Sequence, residues 1–161
     1  MPAGTDPLDP SGDVTPGERV ECRLDHEEDS FPVQHQARAL AERVGFARRD
    51  ATEIAIAASE LASNVIKYGV RGAVVIEAID HPARGPGVRL TAFDEGPPFS
   101  DFEGALRDGH DQAGPLDPGT FAARRGYGVG LGAVLRFSDA CGWAPEEHGK
   151  RVWAIRFLRR P

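Results

Sequence analysis

Cysteine, methionine, tryptophan and long apolar runs are all scarce in this chain. Two cysteines in 161 residues, far apart and with no CxxC neighbour, exclude a disulfide-built fold and leave little for a thiolate metal site. The five histidines are scattered, which removes the other half of such a site. No apolar run approaches the roughly 18–20 residues needed to cross a bilayer, and the N-terminus lacks a basic region followed by an apolar one. Positive charge is not in excess either. The net charge of −6 argues against nucleic acid as the main partner. These absences leave a soluble, cytoplasmic protein of single-domain length, away from nucleic acid and membrane, with both thiols expected free and buried.

Glycine, by contrast, is plentiful, and it is concentrated. Gly126-Tyr-Gly-Val-Gly-Leu-Gly-Ala133 puts a glycine at every second position and runs into the helix-like Val134–Asp139. Such a row costs backbone entropy in any regular element. It makes sense where backbone must approach something closely and where a helix N-terminus offers unpaired N–H groups to an anion. A phosphate cradle is the expectation. It is not a P-loop, because no Lys-Ser/Thr follows the glycines. Gly128, Gly130 and Ala133 fit a loose dinucleotide fingerprint, but no strand precedes them and no parallel βαβ pattern surrounds them.

The rest of the chain alternates strand and helix signals. Residues 1–18 are rich in Pro, Gly and Asp and read as a disordered leader to a single domain over 19–161. Arg19–Leu24 alternates as a half-buried strand. Ser30 is the expected N-cap of a helix over Phe31–Val44 that Gly45 ends. Asp50, with Glu53 three residues on, reads as the capping pair of a second helix over Ala51–Tyr68, stopped by Gly69. Ala73–Ile79 and Val88–Phe93 are strands joined by the turn His81–Gly87. A short helix is expected over Asp101–Arg107, and a lid over the Gly/Pro/Asp-rich His110–Phe121. Beyond the glycines the pattern gives a helix to about Ala140, a turn at Cys141-Gly142, a strand end at Trp143 and a last strand over Arg151–Leu158. The cluster Lys150, Arg151, Arg156, Arg159 and Arg160 is expected on a solvated face. The fold class is α+β: a two-layer sandwich, with helices on one face of a mixed, mostly antiparallel sheet.

Two places in this frame carry chemistry. On the second helix, Ile54, Ala58, Leu61, Val65 and Tyr68 make one apolar face, and Glu60, Asn64 and Lys67 make a stripe along its border. The stripe is either an ordinary polar helix border or a row holding an oxygen ligand and a general base. Asp94 ends a buried strand and precedes Gly96, so it is either a turn residue bonding its own backbone or a carboxylate at the mouth of a pocket.

In order, Glu60-Leu-Ala-Ser-Asn64, Asp94-Glu-Gly96 and Gly126-Tyr-Gly128-Val-Gly130 resemble the N, G1 and G2 boxes of the GHKL ATPase/kinase superfamily. The resemblance covers roughly residues 20–158. Glu-x-x-x-Asn, the small size and Lys67-Tyr-Gly look like the anti-sigma-factor serine/threonine kinases. Gly126–Asp139 and Phe102–Gly109 are most similar to their stressosome switch-kinase branch. The resemblance implies the Bergerat, or histidine-kinase-like ATPase, fold and the use of ATP and Mg²⁺. It implies that Asn64 ligates the metal, Glu60 is the general base, Asp94 accepts from the adenine amine and Gly96 lets the ring pass. By the same resemblance Gly126, Gly128, Gly130 and the adjoining Leu131 face the phosphates, Lys67 is a further phosphate candidate, and Arg124 and Arg125 lie where a basic residue meets the γ-phosphate. The implied partner is a STAS-domain substrate, with a sigma factor or a phosphatase regulatory domain as further partners. Pro98 stands where the G1 box has a second glycine, so the turn under the base must differ or lose a donor. That departure keeps open an alternative, a nucleotide-responsive binding module without catalysis.

Overall fold

The computed structural model of the chain describes residues 14–68, 71–107, 110–111, 114–115 and 130–159. Its elements are β1 (Thr15–Leu24), α1 (Ser30–Val44), α2 (Arg48–Tyr68), β2 (Gly72–His81), β3 (Gly85–Asp94), α3 (Phe102–Ala105), β4 (His110–Asp111), β5 (Gly114–Pro115), α4 (Gly132–Arg136), β6 (Ala140–Glu146) and β7 (Gly149–Phe157). Five strands form the main sheet in the order β1-β2-β3-β7-β6. All its described pairings are antiparallel, so the expected mixed sheet is fully antiparallel here.

Alternation decides which face is covered. Val74 and Ile76 of β2, Val88, Leu90 and Ala92 of β3, and Val152 and Ala154 of β7 share one core with the stripes of α1 and α2. Ile54, Ala58, Leu61 and Val65 are the α2 contribution, and each is buried. Full burial of one such Leu, Ile or Val stabilises by about 1.5–3 kcal/mol, so this layer dominates the energetics. The opposite sheet face carries a smaller cluster of Ile79, Trp153, Ile155 and Phe157. Helices therefore lie on one face, as the pattern required.

Element ends depart from the expectations where distant partners intervene. β1 starts at Thr15, inside the expected leader, and its pairing with β2 shifts register between Pro16 and Arg19. Pro16 has no N–H to give the ladder, so an irregularity there is natural. Ser30 is not the cap of α1. A 3₁₀ turn over Glu27–Asp29 leads in, and the Asp29 carboxylate accepts from the N–H groups of Asp25 and His26 at 2.8 Å each. Gly45 does end α1, at φ 118°, donating back to Ala41 and Glu42 carbonyls. Asp50 and Glu53 do not cap α2, which begins at Arg48. They bind Arg156 of β7 instead, at 2.7 and 2.6 Å. That hydrogen bond, more than any other influence, holds the Glu53 carboxyl below its ordinary pKa.

The last helix is shorter than expected. The Ser138 hydroxyl donates to the Val134 carbonyl, the Asp139 N–H donates to Ile155, and Asp139 Oδ2 accepts from the Phe157 N–H. β7 thus captures the chain at Asp139, and Cys141-Gly142 lies within β6 instead of in a turn. Cys22 and Cys141 sit on β1 and β6, the opposite edges of the sheet, each free and half-buried rather than fully buried. Burial raises the pKa of both thiols, with Glu21 adding to the effect at Cys22. Among the described residues no helix is long and apolar enough to cross a membrane.

Candidate active site

α2 runs between α1 and α4 and lies across β2 and β3. Its polar stripe sinks as this packing closes around it: Glu60 and Asn64 are each 8 % exposed, whereas Lys67 is exposed. A carboxylate and an amide one turn apart are thus largely out of water, where polar groups stand only with partners to satisfy them. They suit a site in which a proton acceptor and an oxygen ligand must stand side by side.

A cavity of about 630 Å³ opens against this flank of α2. Glu60, Ser63 and Lys67 line one wall, and Glu27, Glu28 and Phe31 line the other. Its size is that of a small-molecule or side-chain pocket. Asn64 and Asp94 are not in its lining, so it approaches Glu60 from one side only.

Asp94 closes β3 with its side chain 2 % exposed. Its Oδ1 accepts from the Gly96 N–H at 2.7 Å, the turn bond anticipated from the sequence. The same oxygen accepts from Lys150 Nζ at 2.8 Å, a partner the sequence did not reveal. Lys150 was expected on a solvated face, yet its side chain is 0 % exposed. The strand alternation carried the signal: Lys150 shares the inward parity of Val152 and Ala154, and β3 pairs Asp94 directly with it. Arg156 has the same parity and is also mostly buried, Arg151 is half-buried, and Arg159 is exposed. Arg160 lies outside the described residues.

The walls meet at glycines. A Cβ placed on Gly72 would strike Val65 of α2 and the Phe93 carbonyl, and would stand 3.4 Å from the Asp94 Cβ. With no side chain between them, the α2 turn that carries Asn64 and the end of β3 close on one another. From the other side, Gly130 is buried, and Leu131 is 2 % exposed in the core shared with Leu61 and Val65. The Leu131 side chain is thus a core group. α4 behind it has five residues. Arg124, Arg125, Gly126 and Gly128 lie outside the described residues, as does the expected lid beyond Pro115.

Glu60 and Asn64 thus lie on the second half of α2, Leu131 shares the core with Leu61 and Val65 of that half, and Gly72 joins Val65 to the end of β3 at Asp94. Among the described residues no group of three His, Cys, Asp or Glu side chains is placed to hold a metal ion. A buried amide oxygen at Asn64 suits Mg²⁺, which takes one or two protein ligands and completes its shell with phosphate and water.

Comparison with known proteins bears on the family and the fold. The family described as the histidine kinase-like ATPase domain matches residues 19–156. Serine/threonine-protein kinase RsbT of Bacillus subtilis (strain 168) is 29 % identical over 138 residues, covering 85 % of this chain and 95 % of that protein. The crystal structure of the RsbU and RsbW domains of Rv1364c from Mycobacterium tuberculosis superposes with a TM-score of 0.55 at 16 % identity. That match covers 91 % of this chain and spans 34 % of the solved one, and it speaks for the fold alone.

Proposed function

The chain belongs to the histidine kinase-like ATPase domain family, and from that footing we propose that it is a cytoplasmic protein serine/threonine kinase that uses ATP and Mg²⁺. In this reading it phosphorylates a STAS-domain protein and so works a partner switch in stress or sigma-factor control. The observation that carries the proposal is the buried pair Glu60 and Asn64 on α2. The likeness to a serine/threonine kinase over most of both chains supports it.

Each residue has a role in the transfer. Asp94 accepts from the amine of the base, and Gly96 lets the ring approach. The backbone of Gly126, Gly128, Gly130 and Leu131 meets the phosphates, with Arg124, Arg125 and Lys67 as the positive groups near them. Asn64 would hold Mg²⁺, and the ion would supply charge neutralisation at the phosphates. An acceptor hydroxyl enters along the cavity that Glu60 lines. Its oxygen bonds to the γ-phosphorus while the bond to the bridging oxygen of ADP breaks, and its proton passes to the Glu60 carboxylate.

The binding-module alternative rested on Pro98. That residue is exposed, and the Asp94–Gly96 hydrogen bond forms beside it, so the carboxylate keeps its turn. The test is transfer of labelled γ-phosphate from ATP to a cognate STAS protein. Glu60→Gln is expected to lower the rate by roughly 10²–10⁴ while Mg-ATP binding persists. Full transfer by that variant, or none by the wild type, rejects the kinase reading.

A further inference from the structure

Lys150 is a buried charge that none of these roles uses. Among the described residues it heads the largest fully buried side chains, and the others are aliphatic. Desolvating an ammonium is unfavourable unless a partner compensates, so its place needs a reason. Nζ donates to Asp94 Oδ1 at 2.8 Å and stands 5.3 Å from the centre of the Phe99 ring. Oδ1 also receives the Gly96 N–H at 2.7 Å. One oxygen of the carboxylate is thus committed twice, and neither of these bonds engages Oδ2. Rotating the carboxylate would break two charge-assisted bonds together. Backbone fixes the lysine as firmly. Asp94 and Lys150 are register partners, and Gly149, at φ 131°, lies so close to the Asp94 carbonyl that a Cβ would collide with it.

Resting on the reading of Asp94 as the base-reading carboxylate, we infer that Lys150 is a positioning residue for nucleobase selection. By holding Oδ1 in the turn it presents Oδ2 in one orientation to a base bearing an exocyclic amine. A 6-aminopurine nucleotide donates to it. A 6-oxopurine nucleotide sets a carbonyl oxygen against it, acceptor to acceptor, and is rejected.

The experiment is calorimetric titration of the full chain with Mg-ATP, Mg-ITP and Mg-tripolyphosphate, each protein held well below its own melting midpoint. The proteins are the wild type, Lys150→Met, and the neutral pair Asp94→Asn/Lys150→Met as a variant with no buried unpaired charge. The wild type is expected to prefer ATP to ITP. Lys150→Met should bind ATP roughly tenfold more weakly or worse, with the ATP:ITP ratio moving toward one. Tripolyphosphate, which has no base, should bind all three alike, and the neutral pair should fold but lack the ATP preference. A purely structural lysine would lower the melting midpoint of Lys150→Met and leave the ratio unchanged. That result overturns the inference, as does an ATP preference kept by the neutral pair. A wild type that does not distinguish ATP from ITP, or binds neither, overturns it equally. Phosphoryl transfer is scored apart. Selective binding without transfer rejects the kinase reading and leaves the role of Lys150 standing.

Discussion

β7 carries one inward-facing cation near each end, and the two live in different solvents. Lys150 is fully desolvated and has Asp94 on the neighbouring strand. Arg156 keeps 19 % of its side chain exposed and grips Asp50 and Glu53 in the first turns of α2. Both are cation–carboxylate contacts shorter than 3 Å by the same strand. What separates them is how much water could replace a lost partner. Near the site a broken pair leaves a stranded charge. At the far end it leaves a wet one. The second pair ties β7 to the first turns of the helix whose later turns carry Glu60 and Asn64.

The largest expected effect of breaking this symmetry is at Lys150. Lys150→Met should cost about 3–5 kcal/mol in urea unfolding, the usual penalty for orphaning a buried charge. Asp94→Asn/Lys150→Met should recover most of it. Arg156→Met comes next, at about 1–2 kcal/mol after allowance for solvent. If Arg156→Met costs more than Lys150→Met, the contrast between the two ends of β7 is wrong.

Acid gives a third comparison. The Glu53 pKa is lowered in the fold, first by its hydrogen bond to Arg156 and further by Arg49. Unfolded, it titrates near 4.5. Its contribution is therefore complete above that pH and lost as the pH falls through the lower folded value. Stability of the wild type should decline across that window, and Arg156→Met should flatten the decline. The smallest effect is expected at Arg43, whose pair with Glu18 is fully exposed. Arg43→Ala should leave the unfolding midpoint unchanged within error, and a clear shift would mean that solvent access does not order these contacts.

The sequence disclosed what is written at short range. The Ile54–Val65 stripe, the Glu60–Asn64 step beside it and the β2–β3 hairpin each follow from a local period that packing could only confirm. Asp50 with Glu53 shows where that logic fails. The pair has the spacing of a cap, yet an arginine 103 and 106 positions away takes both carboxylates. A guanidinium offers these carboxylates a full positive charge where a helix N-terminus offers only a partial one, and nothing local announces it. Lys150 is the same lesson with the sign reversed. Arg151, Arg156 and Arg159 follow it in sequence, so composition places it outside, whereas strand parity and a carboxylate 56 positions earlier place it inside. In the candidate site, Glu60, Asn64 and Asp94 were legible as motif residues. Their burial was half-legible, and the cation that locks Asp94 was not.

The strand order has a consequence in time. β7 is the latest described strand in sequence, yet it lies between β3 and β6 rather than at an edge. A chain synthesised only as far as Glu146 holds β3 with an open edge and Asp94 with no cation opposite it. Sheet closure and completion of the charge pair are then a single late event, made by one long-range insertion. Until that strand enters, the half-made domain exposes an unpaired edge that could recruit a neighbour. Nascent chains halted before Gly149 should therefore be prone to association.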